Sequence, residues 1–184
     1  NNQVPPRNYP YLVTYDWDYG FRADRIVELI EAAPGKIDIP YIQNMQGDSF
    51  DAKGPLYAHM LLNMEFKAAT PNQAFAMDLL KNWDYQDRAD SSAAAVFNAF
   101  WRHFLQNTFN DDLPDERYYP NGNSRWNDIL RSLEDSSAWW DDKTTTEVRE
   151  TRDDIIRKSF EQGVKEVEEI FGRDPARWNW GEMH

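Results

Sequence analysis

The 184-residue sequence contains no cysteine. Disulfides, zinc-thiolate centres and cysteine nucleophiles are therefore excluded. Its eight glycines are unclustered, so no glycine-rich phosphate loop is present. The three histidines, His59, His103 and His184, form no HExxH or other paired spacing, which leaves a zinc site without support. No Gly-x-Ser-x-Gly elbow marks a serine hydrolase of the common kind, although composition does not exclude a Ser-His-Asp triad. No apolar run approaches the roughly 20 residues of a membrane helix, and the opening NNQVPPRNYPY lacks the basic-then-apolar order of a signal peptide. Twenty Lys and Arg stand against thirty-two Asp and Glu, a formal net charge of −12. That field repels nucleic acid, and no basic block offsets it.

Aromatic residues supply 15% of the chain, enough to argue against disorder and for a packed acidic globule. Five of the ten prolines fall in the first forty residues (Pro5, Pro6, Pro10, Pro34 and Pro40). Residues 1–20 read as an extended aromatic arm that needs a surface to lie against, with Tyr11–Tyr15 as the one short β-like piece. An Asn-Asn start followed by irregular aromatics reads as the interior of a longer protein.

From Phe21 the period becomes helical. Ile26, Leu29 and Ile30 share a spacing that Pro34-Gly35 ends. A second stretch, Ile39–Ala68, is broken or kinked around Gly47, Gly54 and Pro55. Thr70-Pro71 opens a third with a cap and a proline in the first turn, whose face is expected to be Phe75, Leu79, Leu80 and Trp83. Asp90 and Ser91 cap Ser92–Asn107, striped by Val96, Phe97, Phe100, Phe104 and Leu105. Asn110–Asn123 reads as a loop. Ser124 starts a short helix with Trp126, Ile129, Leu130 and Leu133. The longest helix is expected over about Thr146–Phe171, with Ile155, Ile156, Phe160, Val164, Val167 and Phe171 as its stripe and Gly172 at its C-cap. The tail, DPARWNWGEMH, is expected to dock. The fold class is all-α: an irregular or orthogonal bundle of six or seven helices over residues 21–184, preceded by the arm.

The residues alone give no self-contained active site. The doublets Asp111-Asp112, Asp141-Asp142 and Asp153-Asp154 are not a glycosidase pair. Such a pair faces across a cleft about 5–10 Å wide, whereas neighbours on a helix point apart. Caps and solvated faces explain them better. Tyr118-Tyr119, Trp139-Trp140, Trp178 and Trp180 could stack on a sugar or peptide if their rings form one exposed patch, and otherwise pack loops onto helices. The side-chain amides of Asn1 and Asn2 could donate to a developing oxyanion.

The order of motifs resembles part of the β subunit of the penicillin amidase (penicillin acylase) family. NNQVPPRNYPYLVTYDWDYGFRADRIVELI is similar to the family's Asn-Asn, Tyr-Pro, Trp and Arg-x-x-Arg-Ile segment. IQNMQGDSFDAKGPLYAHML, LLKNWDYQDRADSSAAAVFNAFWRHFL, WWDDKTTTEVRETRDDIIRKSF and RDPARWNWGEMH resemble further landmarks in order, spanning nearly the whole chain. One departure is WDYQDR, where Tyr85 stands at a turn position commonly occupied by glycine.

The resemblance implies an amidohydrolase whose nucleophile is a serine at the β-subunit amino terminus, upstream of this chain, with its own α-amino group as base. It implies that the helices belong to a region inserted in a four-layer αββα fold. Asn1, with Asn2 as the neighbour it could be confused with, matches the oxyanion-hole asparagine. Arg25 matches an arginine near the nucleophile, with Arg22 as its competitor. No cofactor is implied within the chain, though a structural calcium ion is expected in the complete protein. The partners implied are the remaining segments of the same precursor (α subunit and the rest of β) and a small acyl amide such as a penicillin or acyl-homoserine lactone, with no nucleic acid and no membrane. The location implied is periplasmic or extracellular, and this piece alone is expected to be inactive.

Overall fold

The computed structural model describes residues 5–6, 8–14, 20–122 and 124–184. It divides after Asp48 into two compact units, the second being Ser49–His184. Among the described residues there are eight α-helices and no strand. In chain order they are α1 (Phe21–Glu31), α2 (Ile39–Gln46), α3 (Gly54–Leu62), α4 (Pro71–Lys81), α5 (Ser92–Phe109), α6 (Ser124–Ser132), α7 (Arg152–Phe171) and α8 (Trp180–Met183). The count exceeds the expected six or seven because the Ile39–Ala68 stretch is two helices and the tail adds a short one. Residues 11–14 of the β-like piece form no strand, and Tyr15 lies outside the described residues.

In the first unit, α1 and α2 contain no buried residue. Ile26 and Ile30 are 43% and 47% exposed, so the apolar spacing of α1 does not mark a core face of this unit. The better covered positions are Phe21, Arg25 and Leu29, which share a face one turn apart. Two polar ties leave that face. The Tyr41 hydroxyl donates to the Leu29 carbonyl, and Arg25 pairs with Asp48. Asp38 caps α2 by accepting from the Tyr41 amide at 2.9 Å.

The second unit is organised around α5 and α7. Helix α5 is buried nearly all round, and Val96, Phe97, Phe100, Phe104 and Leu105 all lie in the core as expected. The buried positions of α7 include Ile155, Ser159, Gly163, Val167 and Phe171, a ridge at four-residue spacing with small residues in its middle. At Gly163 a Cβ would come within 2.7 Å of the Phe100 nitrogen and 2.9 Å of its Cα. The two backbones therefore touch there. Asn107 Nδ2 donates across the same seam to Ser159 Oγ (2.9 Å) and Gln162 Oε1 (2.6 Å).

Two helix faces differ from their sequence reading. Helix α4 buries Gln73, Ala76 and Leu80, while Phe75 is exposed. Helix α7 starts at Arg152, later than the expected Thr146. Thr151 and Asp154 form a reciprocal capping box that fixes its first turn. The preceding residues are instead gathered by Asp142, whose Oδ1 accepts from the Thr144 amide and whose Oδ2 accepts from Lys158 Nζ at 2.7 Å. Those bonds pull the Asp142 carboxyl down to about 2.

The tail docks as expected. Trp178 is 1% exposed and its Nε1 donates to the Gly172 carbonyl, while Ser92 Oγ donates to the Trp178 carbonyl. The Gly181 amide donates to the Ala89 carbonyl at 2.7 Å, and a Cβ there would lie 2.8 Å from Ala89 Cβ.

The turn after α4 holds a left-handed residue that is not glycine. Tyr85 has φ +61°, the one non-glycine among the described residues in the left-handed region. That conformation costs an L-residue about 1–2 kcal/mol. Its ring packs edge-on against Trp83 and Phe50, its hydroxyl lies 3.1 Å from His59 Nε2, and its carbonyl accepts from the Asp51 amide at 2.7 Å. Gly54 gives the ring room, because a Cβ there would lie 2.7 Å from Tyr85 Cδ1 and 2.9 Å from Trp83 Cζ3.

Alanine in place of a helical glycine ordinarily adds about 0.5–1 kcal/mol of stability. Gly163→Ala is expected to do the opposite, lowering stability by about 1–3 kcal/mol in chemical unfolding, because backbone rather than a flexible side chain must move. Gly54→Ala is expected to be destabilising too. Part of that loss should return in the Tyr85→Gly background, which a double-mutant cycle measures.

Candidate functional site

Of the three residues assigned to chemistry, Asn1 and Asn2 lie outside the described residues. Arg25 is described, and its geometry separates it from Arg22, which is exposed on the neighbouring face of α1. Arg25 Nε donates to Asp48 Oδ2 at 2.8 Å and its Nη2 donates to Asp48 Oδ1 at 3.0 Å. This is the two-pronged fit of a planar guanidinium to a carboxylate. Glu28, one turn along α1, lies 2.9 Å from Nη1. The Arg25 side chain is 21% exposed, that of Asp48 14% and that of Glu28 62%. The hydrogen bond to Asp48, followed by that to Glu28, holds the guanidinium more firmly protonated than usual against the opposing effect of burial.

Asp48, the partner of Arg25, carries no motif in the sequence. It lies 23 positions from Arg25 and next to the glycine that caps α2. The only signal is negative: no basic residue stands three or four positions away to pair with it on a helix.

The other candidates resolve into structural work. Asp111 accepts from the Lys143 amide, Asp112 pairs with Lys143 Nζ, and Asp141 accepts from the Glu150 amide. With Asp142 and Asp154 already bonded to neighbouring segments, the doublets are ties and caps. His103 meets Glu166 at 2.9 Å, and burial followed by the Arg102 charge lowers its pKa. Trp140 and Trp178 are 2% and 1% exposed, so the four tryptophans do not make one exposed patch. Among the described residues no group of three or more His, Asp or Glu could hold a metal ion. No helix among them is long and apolar enough to cross a membrane.

Asp87 is a further perturbed carboxyl. Burial, then the nearby Asp51 charge, pushes its carboxyl up to about 6, against help from Asn98, Lys53 and His184. Perturbed carboxyls gather at functional sites, but structural clusters produce them too. Here the surroundings are structural: the Asp87 amide donates to the Ser49 carbonyl, and the side chain accepts from Asn98 at 3.3 Å. The folded pKa lies above the unfolded one, so the folded state binds the proton more tightly. Ionised Asp87 therefore opposes folding above pH 6, and that penalty fades as pH falls toward 4. Asp87→Asn keeps an acceptor for Asn98 and is expected to raise the melting temperature at pH 7. The difference from the parent should vanish near pH 4 in a melting series.

A family model for penicillin amidase matches residues 1–184. The acyl-homoserine lactone acylase QuiP of Pseudomonas syringae pv. tomato is 27% identical over 206 aligned residues, covering 100% of this chain and 24% of the relative. The acyl-homoserine lactone acylase QuiP of Pseudomonas aeruginosa is 26% identical over 211 residues, again with 100% of this chain and 24% of the relative. The chain thus spans about a quarter of the length of the curated relatives it matches. With the match running through the arm, the Arg25 helix and the docked tail alike, the chain belongs to the penicillin amidase family.

Proposed function

We propose that this chain is the helical part of an acylase that hydrolyses the amide bond of an acylated small molecule, with N-acyl-homoserine lactones as the first substrate class to test. The observation that carries the reading is the match over residues 1–184 to the family, together with relatives named as acyl-homoserine lactone acylases. A serine elsewhere in the precursor, freed at a chain terminus, attacks the amide carbonyl carbon. Its own α-amino group takes the hydroxyl proton and passes it to the leaving nitrogen as the C–N bond breaks. Water then attacks the acyl-serine ester, and the acid departs.

In this reading the arm, residues 1–20, carries the asparagine that stabilises the tetrahedral oxyanion. Asn1 is the preferred residue and Asn2 the alternative. Arg25 holds the terminal amine and that asparagine in place, and residues 21–184 act as scaffold. The partners are the other segments of the same precursor, and the location is periplasmic or extracellular. A binding module presenting aromatic loops is the weaker alternative, since two of its four tryptophans lie in the core.

The test is steady-state hydrolysis of N-acyl-homoserine lactones by the complete, matured protein. Loss of one oxyanion donor typically costs about 2.7–4 kcal/mol of transition-state stabilisation. Asn1→Ala is therefore expected to lower kcat about 10²–10³-fold with little change in KM, and Asn2→Ala to stay near the parent. Parent-like kcat in both variants would remove the oxyanion assignment.

A further inference from the structure

We propose that Asp48 is a positioning residue for the acylase reaction: it sets the place and plane of the Arg25 guanidinium and acts through it. The inference rests on the role proposed above for Arg25.

Three observations carry it. The first is the contact itself. Two parallel N–H···O bonds, at 2.8 and 3.0 Å, fix a flat group in both position and tilt. A single bond, such as the one Glu28 makes from the same helix, leaves rotation open. The second is the support behind the carboxylate. Asp48 follows the Gly47 cap of α2, and α2 is tied to α1 by the Tyr41 hydroxyl on the Leu29 carbonyl. Arg25 and Leu29 lie one turn apart on the same face, so both ties address one side of α1. The third is that packing on these helices is partial, since no residue of α1 or α2 is fully buried. A long side chain on such a helix would otherwise sample many rotamers. Asp48 and Glu28 both meet the guanidinium, and the two-pronged bond to Asp48 gives it a direction as well as a charge partner.

The experiment compares kcat, KM and melting temperature for N-dodecanoyl-homoserine lactone hydrolysis by the complete enzyme and four variants: Arg25→Ala, Asp48→Asn, Asp48→Glu and the exchange Arg25→Asp with Asp48→Arg. Asp48→Asn keeps an acceptor but loses the charge and the two-pronged fit. It is expected to lower kcat about ten- to a hundredfold with KM and melting temperature nearly unchanged. The exchange is expected to keep the ion pair and the melting temperature while kcat stays as low as in Arg25→Ala. Parent-like kcat in Asp48→Asn, or recovery of kcat in the exchange, would overturn the proposal and make the pair a brace. If Asp48→Asn does not mature, Asp48→Glu decides: lowered kcat in matured enzyme supports positioning, and full kcat overturns it. Full activity in Arg25→Ala removes the role of Arg25, and the proposal for Asp48 with it. A parent enzyme inactive on acyl amides removes the acylase reading itself.

Discussion

The second unit depends on the close approach of two backbones. Helices α5 and α7 meet where Gly163 has no side chain and Ser159, one turn earlier, has a small one. A larger residue at 163 would hold α7 away from Ala99 and Phe100 and open space along the seam. The surrounding aromatics would then lose the contact density on which a packed interior depends. Phe100, Phe104 and Trp140 show what that proximity allows: the Phe104 ring lies parallel to the other two, at 5.6 and 6.1 Å. The tail repeats the device on a smaller scale, with Gly181 seated on Ala89 and Trp178 filling the space beside it. Glycine serves these contacts by occupying no volume, and its free dihedrals are beside the point in both.

Where burial dominates, the sequence was easy to read. The stripes of α5 and α7 follow the helical period because both helices face a core along their length. The caps of α4 and α5, Thr70 and Ser91, were equally legible, since capping is local chemistry. Reading failed where tertiary demands outrank local ones. Phe75 carries the apolar signal of α4, yet the buried face is set by Gln73, Ala76 and Leu80. Helix α7 starts six residues later than expected because Glu150 is bonded back to Asp141 and Thr145, and Thr151 caps the first turn at Arg152. At Tyr85, where glycine is common, ring contacts and a backbone hydrogen bond accompany the left-handed conformation.

The candidate site was less legible for a different reason. Periodicity reports only which face of a helix meets apolar surroundings, and a single ion pair between residues 25 and 48 leaves no period. Arg25 was reached through its resemblance to a family motif and Asp48 through geometry alone. The aromatic doublets show the converse. Trp140 and Trp178 look like parts of a binding surface in composition, and only their burial separates a stacking platform from a core.

The Arg25–Asp48 pair is weak as a source of stability and strong as a source of geometry, and the two are consistent. For an ion pair this well covered, the cost of taking both charges out of water and fixing two side chains offsets much of the attraction. The same loss of freedom is what a reaction needs from a group that must lie in one plane at a fixed place. In the second unit such fixing comes from packing, as at Trp178. In the first unit, where no residue of α1 or α2 is fully buried, directed polar bonds do more of the fixing. The two-pronged carboxylate is the strongest such bond available to an arginine side chain.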